Sequence, residues 1–88
     1  SLPLQKNICN VWINDSDQIA FYEQKQFTPV AFDQLRAQIE RRLAENEKLI
    51  VSLKAERGAN YSRFVDVLDE LKLAGATRIS IAEPEPGD

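Results

Sequence analysis

Two short runs near the N-terminus alternate apolar side chains between opposite faces, and together they allow one register of pairing. In the run Ile8–Ile13, Cys9, Val11 and Ile13 share one face while Ile8, Asn10 and Trp12 share the other. In the next run Ile19 and Phe21 alternate with Ala20 and Tyr22. A period of two is that of a strand with one buried face. Between the runs stand Asn14, Asp15, Ser16 and Asp17, whose short polar side chains bond to nearby backbone groups and tolerate left-handed conformations. A loop over residues 15–17 sets Ile13 opposite Ile19, Val11 opposite Phe21, Trp12 opposite Ala20 and Asn10 opposite Tyr22. Slipping by one residue would turn an apolar set to the wrong face. The chain therefore opens with an antiparallel hairpin in which Cys9 points inward as a buried, inert thiol.

Beyond a polar turn at residues 24–26, the segment Phe27-Thr28-Pro29-Val30 reads as extended or turn-like, because Thr28 precedes a proline. The apolar period then lengthens. Phe32, Leu35, Ile39 and Leu43 recur at helical spacing and predict an amphipathic helix over residues 31–44. At its end Arg41 and Arg42 read as a solvated pair favoured by the helix dipole. Residues 49–53 are short, β-branched and almost continuously apolar, the pattern of a central strand covered on both faces. Asn60 is the expected N-cap of a second helix that carries Tyr61, Phe64, Val65, Leu68 and Leu71 on one face. Gly75 is placed to end it with a positive φ. Ile79 and Ile81 alternate with Ser80 and Ala82 in a last strand, and residues 83–88, with two prolines and three acidic residues, read as a flexible acidic tail.

The order is β-β-α-β-α-β, with the stretch from the third strand to the fourth long enough for a parallel crossover. The expected fold is α+β: a two-layer sandwich with a mixed β-sheet and two helices on one face. Its expected core comprises Cys9, Val11, Ile13, Ile19, Phe21, Leu35, Ile39, Leu43, Val51, Leu53, Phe64, Val65, Leu68, Leu71, Ile79 and Ile81.

Composition removes whole classes of function. At 88 residues the chain holds one small domain, and folding at this size buries roughly 60% of the surface of the unfolded chain, so association of two copies would help. Eleven Lys and Arg against fourteen Asp and Glu give a net charge of −3 with no basic run, which argues against nucleic acid as a partner. The sequence lacks His and Met and has one Cys, so no zinc, haem or iron-sulfur site is expected, and no other cofactor. Neutral-pH acid-base catalysis would lack its usual residue. Asp33, Glu40, Asp66, Asp69 and Glu70 are scattered over two helices, which suits neither paired-carboxylate chemistry nor a hard metal. No catalytic residue is assigned and no enzyme is expected.

Read in order, the segments resemble the periplasmic domain of the ExbD/TolR family of biopolymer transport proteins. The hairpin and the helix start at Pro29-Val30-Ala31-Phe32-Asp33-Gln34-Leu35 carry part of the likeness. Lys54-Ala55-Glu56-Arg57 resembles the family's Arg-Ala-Asp segment, and Tyr61-Ser62-Arg63-Phe64-Val65-Asp66-Val67-Leu68-Asp69 its Tyr-x-x-Val-Val-x-Val-Met-Asp helix. Leu71-Lys72-Leu73-Ala74-Gly75 and Arg78-Ile79-Ser80-Ile81-Ala82 complete it. Asp17 stands where the family usually has Gly.

The resemblance implies residues 1–7 as a linker from a preceding transmembrane helix, residues 8–82 as the domain, and a location on the periplasmic side of the bacterial inner membrane. It implies a homodimer, an ExbB/TolQ-like proton-channel subunit met through that helix, and a TonB/TolA-like protein. The proton-responsive carboxylate of the family belongs to the helix, so none of the acidic residues here takes that role. On this reading the last strand, Arg78, Ile79, Ser80, Ile81 and Ala82, borders the surface that takes up a partner segment. Trp12 and Tyr22, on the hairpin face away from the core, are possible dimer contacts unless a loop or Leu2-Pro3-Leu4 covers them. Tyr61, Asp69 and Gly75 are the family-matched positions of the second helix; Tyr61 is expected to pack on the sheet and Asp69 to pair with Lys72. A different class remains open, a small-molecule-binding regulatory module of ferredoxin-like fold. An acylphosphatase-like enzyme would need an anion-cradling loop, for which only Arg57-Gly58-Ala59-Asn60 is suggestive.

Overall fold

The structure is a computed structural model that describes residues 7–82; the expected linker and acidic tail lie largely outside the described residues. Seven elements follow one another: β1 (Ile8–Ile13), β2 (Ile19–Glu23), β3 (Gln26–Pro29), α1 (Phe32–Glu45), β4 (Ile50–Ala55), α2 (Tyr61–Leu73) and β5 (Ile79–Ala82). The strands form one mixed sheet in the order β3-β2-β1-β4-β5, with β1 in the middle. β1 pairs with β2 in the register expected, from Asn10 opposite Tyr22 to Ile13 opposite Ile19. The turn is closed by the Asp17 N–H donating to the Asn14 carbonyl at 3.0 Å, and Asp17 itself takes a left-handed φ of 63°. β4 lies parallel to β1 and β5 parallel to β4, as the intervening helices require.

The α+β class holds, with one strand more than expected. Residues 26–29 form β3, an antiparallel partner of β2, after a tight turn in which Gln24 and Lys25 adopt φ of 51° and 63°. A two-residue hairpin with both central residues at positive φ usually advertises itself as Asn-Gly, and no such signal is present. The proline fits because β3 is an edge strand, where a missing N–H can face outward.

Side chains of one sheet face, Cys9, Val11, Ile13, Ile19, Phe21, Val51 and Leu53, meet Leu35 and Ile39 of α1 and Val67 and Leu71 of α2 in the core, which Leu49 and Ala76 complete. β4 is interior to the sheet but covered on one face only: Val51 and Leu53 are buried, while Ile50, Ser52 and Lys54 on the other side are half-buried. Leu43, Phe64, Leu68 and Ile79 pack against this core only in part, and Val65 is half-buried. Ile81 is not a core residue: half of its surface is exposed. α2 ends as expected. Gly75 at φ 101° lets its N–H reach the Lys72 carbonyl and the Ala76 N–H the Leu71 carbonyl, a pair of bonds that satisfies two orphan carbonyls of the last turn.

Candidate functional site

The two edges of the sheet offer different chemistry. On β3, the Val30 N–H donates to the Ile19 carbonyl at 3.0 Å. Since bonding alternates along an antiparallel pair, Phe27 and Pro29 are the residues whose backbone faces outward. Pro29 has no N–H, so that edge is interrupted. On β5, the Val51 N–H donates to the Arg78 carbonyl at 2.8 Å, which sets the phase of a parallel ladder whose register pairs Val51 with Ile79 and Leu53 with Ile81. Arg78, Ser80 and Ala82 then turn their backbone toward β4, and Ile79 and Ile81 present both N–H and C=O to the open side. Among the described residues nothing pairs with that row. Of the five residues expected to border a partner surface, the structure brings all to the sheet edge and gives the outward backbone groups to Ile79 and Ile81.

Beside this edge the helix layer is incomplete. Ile81 is 51% exposed and Tyr61 78% exposed, and with Ala55, Ala59, Phe64 and Ala82 they line a cavity of about 450 Å³, together with Glu56 and Arg57. The rings of Tyr61 and Phe64 stack with centroids 6.1 Å apart. Tyr61 thus does not pack on the sheet. The apolar stripe of α2 is wider than the sheet beneath it, and because β5 is short and last, the side of the stripe at Tyr61 overhangs the edge.

Two loops hold the cavity end of the sheet in place. The Glu56 carboxylate accepts from Trp12 Nε1 at 2.8 Å and from the Asp15 N–H at 3.0 Å, and the Glu56 N–H donates to the Ile13 carbonyl at 2.8 Å. The Asp17 carboxylate accepts from the Asn60 N–H at 2.8 Å and from the Asn60 side-chain amide, while Arg63 Nε donates to the Asp17 carbonyl at 3.0 Å. These bonds, the Asn60 backbone N–H first, hold the Asp17 carboxyl below its ordinary range. Asn60 is the N-cap residue expected, but its side chain serves the hairpin rather than the helix. Gly58 closes the join, since a Cβ there would stand 2.9 Å from Asp15 Cβ. Sequence reading placed the turn formers but not their pairing, because the partners lie 43 residues apart.

On the face away from the helices, Trp12 and Tyr22 are joined by Phe27, which contacts Trp12 edge-on with centroids at 5.3 Å and Tyr22 at 4.6 Å. Lys54 Nζ lies 4.6 Å from the Trp12 ring centroid. Both expected contact aromatics are therefore half-buried by β3 and β4; Leu2-Pro3-Leu4 lies outside the described residues. A concavity of about 710 Å³ runs from Trp12 and Phe27 past Pro29 to Phe32 and Arg63.

Asp69 is exposed and, among the described residues, pairs with nothing, Lys72 included. The acidic residue of α2 that does pair is Glu70, whose carboxylate takes both Arg36 Nε and Nη2 at 3.0 Å. Arg42 is not a solvated helix end. It lies 4.0 Å over the Phe21 ring, bonds the Glu23 carboxylate, and reaches Cys9 Sγ at 3.9 Å. Burial pushes the Cys9 thiol up to about 11, against the pull of Arg42.

Among the described residues no cluster of His, Cys, Asp and Glu is placed to hold a metal, and no helix is long and apolar enough to cross a membrane. Residues 2–85 match the family described as biopolymer transport protein ExbD/TolR. No curated protein matches the chain.

Proposed function

Since the chain belongs to the ExbD/TolR family, and so to the components of energy-transducing complexes for biopolymer transport, we propose that it is the periplasmic domain of a proton-motive-force-coupled inner-membrane complex. Its role there is to relay energy to a TonB-like or TolA-like protein that serves transport across, or integrity of, the outer membrane. The ExbB/TolQ-like subunit carries the proton flow, and two copies of this domain work side by side. The domain acts mechanically. It captures an extended segment of the partner by strand addition, with backbone hydrogen bonds for affinity and neighbouring pockets for choice.

The observation that carries this reading is the uneven pair of sheet edges. β3 is interrupted at Pro29, whereas β5 turns the N–H and C=O of Ile79 and Ile81 to the open side. Titration of the ¹⁵N-labelled domain with a synthetic segment of the cognate TonB-like protein tests it. The Ile79 and Ile81 amides are expected to shift most. Shifts confined to the hairpin from Val11 through Phe21, with Arg78 to Ala82 silent, would overturn the assignment.

A further inference from the structure

The open row on β5 specifies backbone pairing but not which segment is preferred, and the charges around it supply that choice. Tyr61, Val65, Leu68 and Lys72 follow one another at helical spacing, so Lys72 continues the overhanging stripe of α2 toward the end of the helix. Six residues later, Arg78 immediately precedes β5. Both side chains are exposed, and among the described residues neither makes an ion pair. Asp69 sits off that line on the solvent side by the same spacing, and Glu70, the acid nearest to Lys72 in sequence, is held by Arg36. The Glu56 carboxylate at the opposite end is already occupied by Trp12 and the Asp15 N–H. In a chain of net charge −3, two unpaired cations thus stand at the N-terminal end of the open strand. The sequence beyond its other end, Glu83 and Glu85, is acidic.

We infer that the segment taken up by β5 is an amphipathic, acidic one of fixed polarity: an apolar side chain enters the 450 Å³ cavity against Phe64, Tyr61 and Ile81, and a carboxylate lies beside Lys72 on the helix side, with Arg78 adding its charge from the other face of the strand. This rests on the strand-addition reading above. The geometry fixes the spacing. A residue paired with Ile81 points, like Ile81, to the helix side, and the next residue on that side pairs with Ile79. The carboxylate follows roughly two to four residues from the apolar anchor, at about 3.3 Å per residue. A segment carrying lysines at that end meets like charge, which discriminates against it.

The test uses synthetic eight-residue peptides of alternating Val and Thr, with two glutamates at the N-terminal end, at the C-terminal end, or replaced by two lysines. Binding to the domain is read by fluorescence anisotropy at low salt, and backbone amide shifts are recorded in parallel. One of the two glutamate peptides is expected to bind at least tenfold tighter than the other and than the lysine peptides. The Lys72→Glu/Arg78→Glu double variant is expected to reverse that preference, and Tyr61→Ser, an exposed site, to weaken all of them. If the Ile79 and Ile81 amides shift equally with every peptide and the double variant changes nothing, strand addition stands and the charge selection is wrong. If no peptide, nor the cognate TonB-like segment, shifts those amides, strand addition itself fails and this inference with it. A sedimenting dimer whose β5 amides are protected and silent assigns the row to a second copy, and overturns both.

Discussion

Asp17 does two things at one position that glycine could do only in part. Its φ of 63° lies in the left-handed region, where an aspartate costs more than a glycine would. In return its carboxylate ties the first hairpin to the start of α2 through Asn60. The folded-state pKa is depressed, so the unfolded chain binds more protons in acid, and the stabilisation is full above the ordinary carboxylate pKa and lost as pH falls through the lowered value. The denaturation midpoint of the protein is expected to fall between about pH 5 and about pH 3 more steeply than that of Asp17→Asn. Glu70, held low by Arg36, contributes the same sign, so the variant keeps a residual slope. Equal slopes would remove Asp17 from the account. Cys9 is a simpler residue: buried, with its thiol raised to about 11, it is expected to resist iodoacetamide at pH 8 in the native protein and to react at once in denaturant.

At the scale of elements, the opening hairpin was legible to the register because strict alternation and a turn-forming loop leave a single pairing. α2 was legible as a helix but not in its phase. Apolar residues at 64, 65, 67, 68 and 71 cover nearly half of the helix circumference, and which of them faces inward depends on where the sheet ends, which no local pattern states. Val67 and Leu71 are buried, whereas Phe64 and Leu68 are covered only in part. Leu71→Ala is therefore expected to cost about 2–5 kcal/mol and Leu68→Ala distinctly less, read from denaturant midpoints at constant slope. The reverse order would place the helix in the phase its sequence first suggests. β3 was missed for a related reason: Pro29 argues against a strand unless the strand is known to be an edge, and edges are set by topology.

For the whole molecule, the sheet order places the two ends of the chain's pattern to different uses. The early hairpin and β3 close one side with a proline, and the last strand leaves the other side with paired donors and acceptors turned outward. The chain's resemblance and its closing position already point to the last strand as the proposed partner surface. The overhanging Tyr61, the cavity beneath it and the cations at Lys72 and Arg78 could not be read before the fold, since they assemble from α2, β5 and the loop between β4 and α2. Strand capture at β5 is the central claim, and paired proline substitutions test it most directly. Ile81→Pro removes an outward N–H on β5 and Phe27→Pro removes one on β3, and neither touches a bond within the sheet. With each variant verified as folded at the titration temperature, calorimetric titration of the cognate TonB-like segment is predicted to show at least tenfold weaker binding for Ile81→Pro and unchanged binding for Phe27→Pro; weakening by Phe27→Pro alone, or by neither variant, would contradict the account.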